Sequence, residues 1–279
     1  MSAVPEISVI LPILAPTPFL RAMTEFTIKT LRMHADHEFE LVVVEADHRY
    51  LDPKERHMPV LLSVGGYAGE PMRDPLLRID RYLNFTPKIG ALKEANAGIA
   101  AATGDFIVGM GNDVIVPPHW DTELLLPFKE RKDCGASALS AFEPGAIVGP
   151  PQALSSPAYV EGMYSPFMMF RKGWTLDEAY HKIYQDSDLI LRMYSAGLRS
   201  YRSCRAHVHH LLRMTSDRVE QEQHAKDLAH DERLFYERWS NCPFWMFGMI
   251  RSGSIAYGHE WEAWARPIHL HYDPAAPEG

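Results

Sequence analysis

Acidic residues at the ends of apolar runs are the first groups in this sequence able to do chemistry. Glu45-Ala46-Asp47-His48 follows the run Glu40 to Val44, and Gly111-Asn112-Asp113 follows Phe106 to Met110. A carboxylate so placed can hold a hard divalent cation, accept hydrogen bonds from a ligand, or take a proton. Taken alone, Asn112 and Asp113 also read as turn formers leaving a buried strand, and Glu45 and Asp47 as a solvated loop. Three further groups surround them. Asn96-Ala97-Gly98 and Ala102-Thr103-Gly104-Asp105 precede the second acidic run. Gln185-Asp186-Ser187-Asp188-Leu189-Ile190-Leu191-Arg192 follows it, and His207-Val208-His209-His210 closes the set. Imidazoles are softer ligands than carboxylates, or they line a half-buried strand end. A zinc site built from them has no partner cysteine. Lys88 and Lys93 are placed to approach phosphate, or to lie on a solvated helix face.

The elements that must position these groups alternate. Ile7 to Leu11, Glu40 to Val44 and Phe106 to Met110 read as strands, the second almost continuously apolar as a strand covered on both faces should be. Phe19 to Met33 and Ile89 to Ala102 read as the helices between them, giving a parallel α/β pattern. Val60 to Val64 reads as another strand, and Gly65 to Pro87 as irregular apart from a short helix near Leu76 to Tyr82. Farther on, Asp121 to Arg131 predicts a helix, Ala136 to Phe142 a strand, and Pro144 to Pro157 a loop. Gln185 to Ala196 predicts a helix closed by Gly197, Ser200 to His209 a strand, and Asp217 to Trp239 a polar helix opened by a capping box. In such a sheet, ligands gather at the carboxyl ends of the strands.

Composition narrows the classes. A chain of 279 residues with 46% hydrophobic and 23% charged residues is neither disordered nor fibrous. Its length suits one large domain, or a core domain with an appendage. The net charge of −8 argues against holding nucleic acid by blanket phosphate neutralisation. Cys134, Cys204 and Cys242 are scattered, which fits a reducing cytoplasm better than a disulfide scaffold. The start carries Glu6 and no Lys or Arg, unlike a secretory signal, and no apolar run approaches a membrane span.

In order and spacing, the motif groups resemble those of the family 2 glycosyltransferases, which have a GT-A fold. That family runs N-x-G, A-x-G-D, an apolar strand, D-x-D or N-N-D, then E-D-x-D-L and a terminal histidine. Here the run appears as Asn96 to Asp105, Asn112-Asp113, Asp186 to Arg192 and His209. Ser8-Val9-Ile10-Leu11-Pro12 with Val42 to Glu45 is similar to the family's nucleotide-binding start, and Phe235 to Trp239 to its tail motif. The likeness covers roughly residues 6 to 240.

The resemblance implies an α/β fold of GT-A type, a mostly parallel central sheet flanked by helices. It implies a nucleoside-diphosphate sugar donor, UDP- or GDP-linked, and a glycan, lipid-linked or other hydroxyl acceptor. Transfer would invert and use Mn²⁺ or Mg²⁺, with Asp113 and His209 as cation ligands, the imidazole pointing to Mn²⁺. Asp186 would be the general base, kept ionised by its helix N-terminus, or else a helix cap. Asp188 and Arg192 match the motif but read as helix-positioning contacts. Pro12, Glu45, Asp47, Asn96, Gly98 and Asn112 would surround the donor. Gly111 and Gln185 depart from the motifs, which motivates the alternative of a non-catalytic nucleotide-sugar-binding or scaffold protein. A nucleotidyltransferase would need a Gly-rich or Lys-bearing loop that Leu11 to Leu20 does not offer. A catalytic domain over residues 1–215 and an extension over 216–279 are implied, the latter carrying Trp239, Trp245, Trp261 and Trp264. Those aromatics read as a packed flap, a homodimer or membrane-surface patch on a cytoplasmic protein, or a sugar platform.

Overall fold

The computed structural model describes residues 6–13, 18–46, 74–85, 89–143, 146–148, 158–161, 167–211 and 221–239. The apolar runs of the first half form β1 (Ile7–Ile13), β2 (Phe39–Ala46), β3 (Arg81–Phe85) and β4 (Phe106–Met110). Between and after them come α1 (Pro18–His34), α2 (Ala91–Ala101), β5 (Val114–Ile115) and α3 (Trp120–Glu130). The second half supplies β6 (Cys134–Glu143), β7 (Ala146–Val148), β8 (Tyr159–Glu161), β9 (Phe167–Arg171), α4 (Gln185–Ser195), β10 (Arg199–His210) and α5 (Gln221–Trp239).

One sheet carries the order β3-β2-β1-β4-β9-β6-β10-β5, with β7 beside β6 and β8 beside β10. β1 to β4 are parallel neighbours, and β10 lies parallel to β6. β9 separates these two parallel groups by pairing antiparallel with both β4 and β6. The fold is therefore α/β, a largely co-directional sheet flanked by helices.

Side chains alternate across the strands, so each face collects its own apolar layer. Ile7, Val9, Leu11 and Ile13 of β1 join Ile28 and Leu31 of α1 and Leu124 of α3. Ile10 joins the other layer with Ile99 of α2, Leu189 and Ile190 of α4, and Phe235 of α5. Trp120 anchors the first layer. Its ring meets Phe39 and Phe167 edge-on at 5.4 and 5.5 Å, and its Nε1 donates to Leu31 O at 3.1 Å.

Three expectations change, one of them the loop expected over 144–157, which contains β7 paired with β6. The helix expected over 76–82 is a short 3₁₀ turn, Pro75–Leu77, followed by β3. Asp74 starts the turn by accepting the Leu76 N–H at 3.0 Å, and residues 81–85 are then captured by pairing with β2. β9 was not expected, because a short apolar run carries no periodicity that separates strand from helix. The strand expected at 60–64 lies outside the described residues. So do the boundary at 215/216 and residues 240–279, including Trp245, Trp261 and Trp264. Among the described residues, no helix is long and apolar enough to cross a membrane.

Candidate active site at the carboxyl edge of the sheet

The chain leaves β4 through Gly111-Asn112-Asp113 and returns as β5, which pairs antiparallel with the end of β10. Val114 faces His210 and Ile115 faces His209, and the Leu211 N–H donates to Asp113 O at 3.0 Å. This register decides which imidazole meets the carboxylate. His210 Nε2 lies 3.6 Å from Asp113 Oδ1, and Asp113 is buried. His209 is exposed on the opposite side of the strand, 5.2 Å from the Phe142 ring, on which His207 stacks at 4.8 Å. The residue next to the expected carboxylate is His210, and His209, the expected cation ligand, is not there.

Gly111 has a specific role beside Asp113. A Cβ at position 111 would lie 2.8 Å from Asp113 Oδ1, so the carboxylate occupies the room that a side chain would take. Two ligands on one ion at about 2.1 Å stand roughly 3 Å apart. A carboxylate oxygen and an imidazole nitrogen at 3.6 Å need to close by only about half an ångström to share one small divalent cation in that geometry, and the mixed donor set is compatible with Mn²⁺.

Asp186 is placed by a different element. Gly197, at φ 79°, closes α4: its N–H donates to Tyr194 O, and that of Leu198 donates to Met193 O, both at 2.9 Å. This Schellman closure turns the chain straight into β10. α4 thus runs back along β10, and its N-terminus lies toward the edge where β10 ends at His210. The residue at the N-cap is Tyr184, at φ 64° and with no side-chain capping bond. Asp186 belongs to the first turn, and its Oδ1 accepts the Ser187 N–H at 2.8 Å. Burial pushes its pKa up to about 6, against the lowering effect of its backbone hydrogen bonds. Desolvation outweighs those hydrogen bonds. The result is a carboxylate still ionised at neutral pH but basic enough to accept a proton.

The flanking acids have other work. Asp188 is buried and accepts from Arg192 Nε at 2.8 Å, Tyr180 OH at 3.2 Å and Trp239 Nε1 at 3.0 Å. It anchors α4, as expected. Gln185 Oε1 is buried with no hydrogen-bond partner among the described residues. A glutamate there would bury an unpaired charge, so the neutral amide is the less costly occupant.

Of the residues expected around the donor, Glu45 keeps a suitable position. It is buried at the carboxyl end of β2 and accepts from Tyr82 OH, which in turn accepts from Asn84 Nδ2 at 3.1 Å. Burial, and then Glu45, push the Tyr82 pKa upward. Pro12 lies half-buried at the end of β1, opposite Val44. Asp47 and Lys88 lie outside the described residues, and Lys93 is exposed on α2.

Three expected donor contacts are structural instead. Asn96 donates through Nδ2 to Leu176 O and Glu178 Oε1, at 2.9 and 3.0 Å, and accepts the Leu176 N–H at 2.9 Å. Both ends of its amide are committed to a loop. A Cβ on Gly98 would meet Ile10 and Val44 methyls at 2.7 and 2.8 Å, so this glycine lets α2 press onto the sheet. Asn112 turns inward, donating to Thr24 Oγ1 at 2.9 Å, while its carbonyl accepts from Thr27 Oγ1 at 3.1 Å. The A-x-G-D run also serves packing. Thr103 N–H donates to Glu40 Oε2 at 2.7 Å, and Gly104 N–H to Ser8 Oγ at 2.9 Å.

Sequence reasoning missed one cluster. Ligand atoms of His181, His230 and Asp231 lie within 4.8 Å of one another. The two rings are parallel, 4.0 Å apart at 1°, so their in-plane lone pairs do not converge on one ion. Asp231 already accepts three backbone N–H groups, from His181, Lys182 and Ile183, each at 2.8 Å, and His230 Nδ1 at 3.0 Å. The cluster fits a clamp better than a metal centre. Its signal was spread over two segments distant in the chain.

No known family profile and no curated protein matches this chain. Solved structures do. Residues 1–349 of S. aureus TarS match with a TM-score of 0.50 at 12% identity, over 83% of this chain and 72% of that one. The UDP complex of the same protein matches with a TM-score of 0.50 at 13% identity, over 74% and 60%. The mannosyltransferase PcManGT from Pyrobaculum calidifontis, solved with GDP-Man and Mn²⁺, matches with a TM-score of 0.54 at 14% identity, over 82% and 64%. At these identities the shared feature is the fold.

Proposed function

We propose that this protein is a glycosyltransferase of family 2 type that moves a sugar from a nucleoside-diphosphate sugar to an acceptor hydroxyl. The reading is carried by a carboxylate–imidazole pair, Asp113 and His210, at the sheet edge, and by a half-buried Asp186 in the first turn of α4, the helix that turns straight into β10. The UDP and GDP-Man complexes of similarly folded proteins support the donor class.

Each residue then has a separate task. Asp113 and His210 would hold a divalent cation, which supplies positive charge to the departing diphosphate. Glu45, kept in place by Tyr82, accepts hydrogen bonds from the nucleoside. Asp186 takes the acceptor's hydroxyl proton as the new bond to the sugar C1 forms and the bond to the diphosphate breaks. Attack from the side opposite the diphosphate inverts C1.

A thermal-shift panel of UDP- and GDP-sugars, with and without Mn²⁺, tests the reading. A matched donor at about 100 times its dissociation constant should stabilise the fold by about 2.7 kcal/mol, with Mn²⁺ increasing the effect. No shift with any donor in either condition would overturn it. Binding without release of nucleoside diphosphate would favour the non-catalytic alternative.

A further inference from the structure

One face of α5 grips the segment that delivers Asp186. Along the helix, Asp227 meets His181 Nδ1 at 3.1 Å, and Asp231 collects the N–H groups of His181, Lys182 and Ile183, each at 2.8 Å. Phe235 stacks on Tyr184 at 4.8 Å and 19°, Arg238 pairs with Asp177, and Trp239 Nε1 donates to Asp188 Oδ1 at 3.0 Å. Helical steps of three and four place these residues on a single stripe.

Asp231 is the centre of the grip. It is fully buried. Burial alone would raise its pKa, yet the hydrogen bonds from His230 and the three backbone amides hold it below the usual carboxylate range. Three consecutive backbone donors outside any helix or strand end on this carboxylate, and removing it would take away their shared acceptor at a part-buried position. The next residue, Tyr184, is a non-glycine at φ 64°. Such a conformation persists only where its surroundings fix it, and here Asp231 holds the backbone just before Tyr184 while Phe235 stacks on its ring. α4 and Asp186 follow immediately.

We propose that Asp231 is a positioning residue for sugar transfer: by holding the backbone of residues 181–183, it sets the point from which α4 presents Asp186. The proposal rests on Asp186 being the proton acceptor. It makes α5 part of the catalytic apparatus, although α5 supplies no group to the reacting atoms.

The test is Asp231→Asn, which keeps the size and one acceptor oxygen but turns an NH₂ toward the backbone donors. Three quantities are measured with Mn²⁺ present: donor affinity by calorimetry, kcat for nucleoside-diphosphate release, and the pH dependence of kcat. Donor affinity should stay within about twofold, because Asp113, His210 and Glu45 are untouched. The kcat should fall by about tenfold or more, a loss typical of a misplaced reacting group. In the wild type, kcat should rise through about pH 6 as Asp186 ionises. In the variant that midpoint should move toward the ordinary carboxylate range as water reaches Asp186. A merely structural role would lower the folded fraction and leave the midpoint where it was. Wild-type kcat, or a loss matched by the folded fraction with an unmoved midpoint, overturns the proposal. Should Asp231→Asn not fold, Phe235→Leu removes the Tyr184 stack and should shift kcat and midpoint in the same direction by less; an unmoved midpoint there overturns it equally. Full turnover in Asp186→Asn would instead overturn the base assignment, whatever Asp231→Asn does.

Discussion

Asp113 and His210 lie together because β5 and β10 pair over only two residues, and that pairing sets the face on which each side chain emerges. A shift of one residue along β10 would exchange His210 for His209. The sequence contains the whole cluster, His207 to His210, but it does not contain the partner strand's register. The choice of His209 over its neighbour was therefore open until β5 was in place. Gly111 was legible only as a missing carboxylate; in the fold its bare Cα leaves room for the Asp113 carboxylate where it stands. The assignment separates two adjacent histidines. With Mn²⁺ present, His210→Ala and Asp113→Ala should each weaken donor binding by about tenfold or more, the usual scale for losing a charged or ligating partner. His209→Ala should stay within about twofold, since its ring rests on Phe142. Calorimetry on the three variants decides it, and a loss confined to His209→Ala would return the ligand role to that residue.

Among the elements, α2 shows why motif residues can mislead. Asn96 and Gly98 sit in a pattern that suggests ligand contact, yet one clamps a loop and the other admits a sheet. Their residue types follow from packing: an amide bonds a peptide group from both ends, and only glycine fits against Ile10 and Val44. Gly98→Ala should therefore lower stability by about 1–3 kcal/mol, the range for overpacking a filled core. Donor affinity of the folded fraction should be unchanged. Urea denaturation with calorimetry on the same sample checks both halves, and reduced donor affinity at full stability would restore Gly98 to the binding site. β1, β2, β4, α4 and β10 were legible because their apolar patterns are long or end at clear punctuation such as Gly197. β3 and β9 were not, because their own residues do not separate strand from helix or loop, and each is specified by neighbours already in the sheet.

For the whole molecule, β9 joins a parallel group, β3-β2-β1-β4, to a second group built on β6 and β10. Glu45 lies on the first, His210 on the second, and Asp113 in the link from β4 to β5, so the edge gathers groups from distant parts of the chain. The order of the motifs made the fold class readable, because each motif marks a strand end or a helix start. The brace from α5 to residues 177–188 was not readable, since its contacts join segments about fifty residues apart with no shared periodicity. The central claim is that this edge transfers sugar with Asp186 as the proton acceptor. Its most direct measurement is donor affinity and turnover of Asp186→Asn beside the wild type, at pH 7.5 with Mn²⁺. The substitution removes the ionisable group and keeps its shape. The account predicts unchanged donor affinity and a fall in turnover of roughly a hundredfold or more; turnover within a few-fold of wild type would contradict it.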